Sequence, residues 1–118
     1  PMNIAEINKK GEFCSLLTEE VNWKTNLNLR DGKYKVGIRP HNITTYKEGK
    51  NSIEINGKVL ISELSGSESL IHFTNGDLNW VSLSEGIHQK GVGEQTKLFM
   101  NADEFLYFDN NNQLVGNV

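Results

Sequence analysis

Apolar and polar residues alternate at a period of two along most of the chain. The alternation is clear at 34–38 and 53–56, and further apolar segments stand at 70–73 and 78–81. Successive side chains of a β-strand point to opposite faces, so this period predicts half-buried strands rather than helices. The chain is therefore predicted to be mostly β.

Residues that favour turns separate these apolar segments. The Asn75-Gly76 pair stands between two of them and tolerates positive φ, so it predicts a hairpin. Asn56-Gly57 is a second such pair, and Asp31-Gly32 is expected to turn the chain before the strand at 34–38. Pro40 has no backbone donor, so it is expected to end that strand or to mark an edge.

The rest of the chain predicts shorter elements. Residues 16–23 fit a hairpin or a short helix, and the hairpin is favoured. Two strands are expected within 91–109, with a capped helical turn at 101–104 between them because Asn and Asp oxygens accept free amide hydrogens. Asn110–Asn112 is a predicted polar turn, and 116–118 is a predicted flexible tail with too little apolar material to pack.

These short strands predict one small, closed or nearly closed barrel. Closure hides sheet edges that would otherwise pair between molecules, and a five-stranded oligonucleotide/oligosaccharide-binding (OB) type of barrel fits. A β-sandwich remains the alternative. The 118 residues amount to a single domain without internal repeats. Phe73 and Trp80, on either side of Asn75-Gly76, are expected to pack in the core rather than to stack on a ligand.

Charge and composition exclude several classes of function. Lys and Arg total 12 against 15 Asp and Glu, a formal charge of −3, which disfavours a nucleic-acid-binding surface. No apolar run approaches the roughly 20 residues that span a bilayer. Cys14, the single cysteine, cannot form an internal disulfide and is compatible with a reducing cytoplasm. The start at Pro1 does not read as a signal peptide and suggests a piece of a longer chain.

No catalytic, cofactor or metal motif is found in the sequence. A phosphate-binding G-x-x-x-x-G-K-[ST] loop is missing, so nucleotide hydrolysis is not expected of this chain. Ser69, Glu68 and His72 on one strand carry no signal of a catalytic triad without geometry. The three histidines, His41, His72 and His88, lack the spacing of a metal site.

Five residues are candidates for a role at an interface. Arg39 follows an apolar strand and precedes Pro40, so its guanidinium could bridge two strands or a neighbouring domain through a carboxylate. Glu63 and Glu68 flank Gly66, where a bulge or tight bend could redirect the strand. A structural use is favoured for both groups.

The same residues carry a resemblance to a known family. Val36-Gly37-Ile38-Arg39-Pro40 and the segment 59–72, which contains Glu-x-x-Gly-x-Glu, occur together, with Pro1-Met2-Asn3 at the start and 105–109 as a closing strand. The chain resembles, over nearly its whole length, the transport-associated OB-fold (TOBE) domain that follows the nucleotide-binding domain in ATPases of maltose-type carbohydrate importers.

The chain also departs from the pattern of this family. His41 stands where the family usually has glutamate after Arg-Pro, Ile4 where it has phenylalanine, and Ser65 where leucine is common. A contact that the family makes through that glutamate is therefore not expected here.

The resemblance implies a single C-terminal regulatory domain, spanning 1–118, of an ATP-binding-cassette (ABC) transporter ATPase. Such domains are non-catalytic: they hold two ATPase subunits together and receive regulatory proteins, while ATP and Mg²⁺ bind in the motor domain. The implied partners are a second copy, the chain's own nucleotide-binding domain and membrane permease subunits, at the cytoplasmic face of the membrane. The transported solute would be a sugar or a polar solute such as glycerol phosphate. A module sensing an oxyanion or a sugar is the alternative.

Overall fold

The computed structural model describes residues 2–17 and 21–117, and the side chains of all of these except Asn117. Its regular elements are strands and two single-turn 3-10 helices, at Pro40–Asn42 and Ala102–Glu104. The strands are β1 Asn3–Lys10, β2 Phe13–Leu16, β3 Asn22–Lys24, β4 Gly32–Ile38, β5 Ile43–Thr44, β6 Ser52–Ser65, β7 Glu68–Asn75, β8 Leu78–Glu85, β9 Gln95–Asn101, β10 Leu106–Phe108 and β11 Leu114–Asn117.

The strands form two antiparallel sheets. The first has six strands in the order β11-β10-β4-β1-β2-β3, and the second has five in the order β5-β9-β6-β7-β8. The edges of the five-stranded sheet approach each other, because Ser82 on β8 donates to the Ile43 carbonyl on β5 and the Thr45 amide donates to Ser84 Oγ at 3.2 Å. The fold is therefore all-β with a nearly closed five-stranded barrel, as predicted.

One core joins the two sheets, since a single cluster of buried apolar side chains contains residues of both, such as Ile7 on β1 and Phe73 on β7. Burial alternates along β1, where every second residue faces inward, as the period of two requires. Trp23 from the six-stranded sheet meets the ring of Phe105 edge-on at 5.2 Å and donates its indole N–H to Tyr107 Oη at 2.8 Å. Phe73 and Trp80 are fully buried, so their predicted place in the core is confirmed.

Gly57 does not form the predicted turn. Asn56 and Gly57 lie inside the long strand β6. A Cβ at Gly57 would stand 2.5 Å from a ring atom of Phe73 and 2.9 Å from Leu98 Cδ1. Gly57 therefore allows Phe73 and Leu98 to pack closely against the strand. In the sequence, a glycine in this role looks the same as a glycine in a turn.

Two tight hairpins build the β6–β7–β8 part of the barrel. Asn75 pairs with Leu78, so a two-residue turn that begins at Gly76 (φ 57°) confirms the predicted hairpin. Ser65 pairs with Glu68 around Gly66 (φ 63°). Gly66 therefore reverses the chain in a second hairpin and does not form a bulge.

The uncertain segment at 16–23 is flanked by paired strands. Phe13 pairs with Lys24 and Ser15 with Asn22, and the Leu16 amide donates to the Val21 carbonyl at 3.0 Å. These pairings confirm the hairpin, although residues 18–20 of the predicted turn lie outside the described residues.

The C-terminal third follows the prediction except at its end. Asn101 Oδ1 accepts the Asp103 amide at 3.1 Å and caps the predicted helical turn. Asp109 Oδ1 accepts two amides within the predicted polar turn. The prediction of a tail beyond Gly116 is wrong at 116 and 117, because Tyr107 pairs with Gly116 and Leu106 with Asn117. Val118 lies outside the described residues.

Candidate functional site

The Arg39-Pro40 pair lies where the chain passes from one sheet to the other. Strand β4 ends at Ile38, and Pro40 opens the first 3-10 helix with Arg39 as the preceding residue. Proline suits this position because its fixed φ fits a first helical turn and its missing amide has no partner to lose. The strand thus ends where Pro40 predicts, and Arg39 is left exposed beside the helix.

The side chain of Asn3 fixes this crossing. Its Nδ2 donates to the Val81 carbonyl at 2.9 Å and to the Ile38 carbonyl at 3.1 Å, and its Oδ1 accepts the Val81 amide at 2.8 Å. The side chain of Asn3 therefore makes with Val81 the two hydrogen bonds that a neighbouring strand would make at this edge of β8. The start of β1 is joined to the barrel beside Arg39.

Met2, Arg39, Pro40 and His41 line a shallow cleft of about 480 Å³ at the same place. The Nε2 atom of His41 stands 3.5 Å from Glu68 Oε2. The two side chains are 65% and 35% exposed, so the pair adds at most about 1 kcal/mol, and only when the imidazole is protonated. The contact shows where the two segments of the motif lie side by side.

The structure gathers three of the five predicted interface residues and leaves two apart. Arg39 and Pro40 line the cleft, and Glu68 reaches it through His41. Glu63 is exposed on β6 opposite Leu70, and Gly66 is exposed in the hairpin turn. Neither residue lines the cleft.

An apolar surface lies next to this cleft, on the outer face of the barrel. Val59 faces the core, so Leu60 faces outward by alternation, and Ile61 faces outward because it pairs with His72. This bulge places two consecutive apolar side chains outside, 42% and 48% exposed. We call the surface the outer patch, and its residues are Leu60, Ile61, Leu70, His72, Val81 and Leu83.

Carboxylates border the outer patch at one end. Leu70 pairs with both Glu63 and Leu83, and in the next outward row Glu68 pairs with Glu85. Glu85, Glu48 and Tyr46 share a pocket of about 220 Å³ with His41, Thr44 and Leu83. Desolvation, followed by the charges of Glu48 and Glu85, raises the pKa of the Tyr46 hydroxyl.

The residues considered for catalysis point in different directions. Ser69 faces inward, donates to the Gly86 carbonyl at 2.8 Å and accepts the His88 amide at 2.8 Å. His72 lies on the opposite, outer face of the same strand, because it is three residues away. Within residues 2–17 and 21–117, no three His, Cys, Asp or Glu side chains are grouped as a metal site would require.

Sequence reasoning missed the outer patch and Asn3. The run Val59-Leu60-Ile61 breaks the period of two, which was an available signal that a bulge puts two apolar residues on one face. Asn3 was quoted only as part of the Pro1-Met2-Asn3 motif, and no sequence signal indicated its contact with Val81, which lies 78 positions away.

Searches with the whole sequence returned neither a matching protein-family model nor a significantly similar curated protein. Across the described part of the chain, no helix has the length and apolar character needed to cross a membrane.

Proposed function

We propose that this chain is the non-catalytic regulatory and dimerisation domain of the ATP-binding subunit of an ABC importer for a carbohydrate or a related polar solute. In this proposal the motor domain binds ATP and Mg²⁺, and this domain contacts a second copy and the permease-bound complex at the cytoplasmic face of the membrane. The resemblance of the 36–40 and 59–72 segments to TOBE domains is the source of the proposal.

One observation carries it furthest: the two motif segments meet in space. Arg39-Pro40 and Glu68 are brought together through the contact between His41 and Glu68 at 3.5 Å, although they lie far apart in the chain. They meet beside the outer patch, so charged and apolar groups share one exposed face. Such a face supports protein contacts, since a charged rim around apolar residues is typical of interfaces.

The coding sequence upstream of Pro1 provides the most direct test of the importer proposal. We expect it to encode a G-x-x-x-x-G-K-[ST] loop and an ABC signature in the same reading frame. A start codon immediately before Pro1 would contradict the proposal and would make a free-standing module the better description.

A small-ligand sensor is the second candidate, because the cleft beside Arg39 offers a guanidinium next to about 480 Å³ of open space. A guanidinium can bind an oxyanion through two parallel hydrogen bonds. A ligand that binds only the folded state raises Tm in a saturable way. Titration with molybdate, phosphate and maltose, monitored by Tm, tests this candidate, with Arg39→Ala as the matched variant that should lose the response.

A further inference from the structure

The outer patch extends over three neighbouring strands of the barrel. Leu60 and Ile61 lie opposite His72, which pairs with Val81, and the next outward row contains Leu70 and Leu83. The patch is thus a continuous apolar band across β6, β7 and β8. The bulge at Leu60 is what widens it, because a regular strand would turn one of the two consecutive apolar residues inward.

Charge changes sign along the strands on either side of this band. Lys58 is exposed at one end, in the outward row that it forms with Thr74 and Asn79. At the other end Glu63 borders the band, and Glu68 and Glu85 form the row beyond it. The face therefore runs from cationic through apolar to acidic.

We propose that the outer patch is the surface through which two copies of this chain associate, with a two-fold axis that crosses the strands near His72. The β7 strand of one copy then runs antiparallel to the β7 strand of the other. This inference rests on the proposed dimerisation function and adds the face and the orientation that carry it out.

The charge pattern selects this orientation. Two copies that meet face to face can be related by an axis across the strands or by an axis along them, since an isologous contact uses the same surface twice. An axis along β7 would place the acidic row of one copy over that of the other, with Glu68 opposite its own copy and Glu85 close by, which like-charge repulsion disfavours. An axis across the strands at His72 places Lys58 of one copy next to Glu63 of the other, twice.

The size of the face predicts weak association of the isolated chain. Three strands about 4.8 Å apart and seven residues long cover an area of roughly 14 by 24 Å. This is well under the about 800 Å² per partner of a standard stable interface. A second attachment, such as a tethered motor domain, would strengthen it by raising the effective concentration.

The first experiment measures self-association of this 118-residue chain by sedimentation and by NMR shifts up to millimolar concentration. We expect concentration-dependent shifts on β6, β7 and β8, and an association at least tenfold weaker in Ile61→Lys. Leu114→Lys is the matched control, because Leu114 is 56% exposed on the other sheet, against 48% for Ile61. Val81→Lys serves as a second patch variant if Ile61→Lys does not fold.

The second experiment tests the orientation with a short bismaleimide and single cysteines on β7. His72→Cys lies at the proposed axis, so it should couple to itself, whereas Glu68→Cys should not because its two copies would be about 27 Å apart. The unmodified chain is the control, since Cys14 is 1% exposed and desolvation by burial raises the pKa of its thiol to about 11.

The outcomes separate the inference from the function on which it rests. A chain that stays monomeric at millimolar concentration overturns the inference, and so does association that Ile61→Lys leaves unchanged. Equal coupling of the Glu68 and His72 cysteines overturns the orientation. None of these results affects the expected ATPase sequence upstream of Pro1, whose failure would instead remove the importer function.

Discussion

The outer faces of the two sheets both carry exposed apolar residues, such as Ile4 at 51% on the six-stranded sheet and Ile61 at 48% on the five-stranded sheet, but the strands beneath them differ. On the six-stranded sheet, Met2 and Phe108 fold over Gly37, where an added Cβ would stand 2.5 Å from Met2 Sδ and 2.8 Å from Phe108 Cε2. On the five-stranded sheet the outer patch contains no glycine. There the bulge instead places Leu60 and Ile61 side by side on the outside.

The difference shows how a glycine and a bulge change the outer face of a strand in opposite ways. A missing side chain leaves a space into which neighbours fold, so Gly37 lets Met2 and Phe108 pack closely against the strand. A bulge has the opposite effect, because it adds an apolar residue to the face. The Gly37 of the 36–40 motif thus has a packing role that does not depend on any partner.

The largest effect is expected where a glycine lies under buried rings. Gly57→Ala should lower the free energy of unfolding by about 2–3 kcal/mol, because the new methyl group would overlap the buried Phe73 and Leu98 side chains. Denaturant unfolding measures this loss. An unchanged midpoint would show that the buried side chains around Gly57 can move to accommodate the added methyl group without loss of stability.

A somewhat smaller loss is expected from Asn3→Ala at the crossing between the sheets. The variant removes three hydrogen bonds and leaves the Val81 amide without its partner, so about 1–2 kcal/mol should be lost. Hydrogen exchange should show faster exchange at Val81. Protection equal to that of the unaltered chain would mean that the two sheets do not depend on Asn3 for their attachment.

Gly37→Ala tests the packing of Met2 and Phe108 over Gly37 directly. The added methyl group would meet Met2 Sδ and Phe108 Cε2, which both belong to side chains that are partly open to solvent and can move outward, so the cost should stay below about 1 kcal/mol. Thermal unfolding of Gly37→Ala and Gly57→Ala under the same conditions compares the two losses of stability. Equal losses in the two variants would show that the outer face is packed as tightly as the core.

The smallest effect on stability is expected in the outer patch. Ile61→Thr keeps the β-branched shape at an exposed position, so the free energy of unfolding should change by no more than about 0.5 kcal/mol. Denaturant unfolding at micromolar concentration measures it. A loss above about 1.5 kcal/mol would mean that Ile61 stabilises the folded monomer rather than an exposed surface.

Local signals predicted much of the fold. The Asn75-Gly76 hairpin, the cap at Asn101 and the strand end before Pro40 each depend on residues that are neighbours in the chain. Gly57 was misread because a glycine that makes a turn and a glycine that makes room for a ring look alike in sequence. The end of the chain was misjudged because pairing with β10 supplies the contacts that its own side chains lack.

Much less of the candidate site could be predicted. Arg39, Pro40 and Glu68 were selected from motifs, but they lie close together because the first 3-10 helix packs against β8, which the sequence did not indicate. The outer patch depends on a one-residue shift in register between Val59 and Ile61. A register shift of one residue moves a side chain from one face of the sheet to the other. The position of such a shift cannot be predicted from a single sequence.

The sequence by itself determined that the chain is all-β, where several turns lie and which residues compose the motif, because alternation and turn chemistry are local properties of the backbone. Only the tertiary structure decided that β6 runs through Asn56-Gly57, that Asn3 joins the sheets at Val81, and that an apolar band lies between Lys58 and the carboxylates of Glu63, Glu68 and Glu85. These features come from contacts between residues far apart in the chain, whose register is set by the packing of the common core.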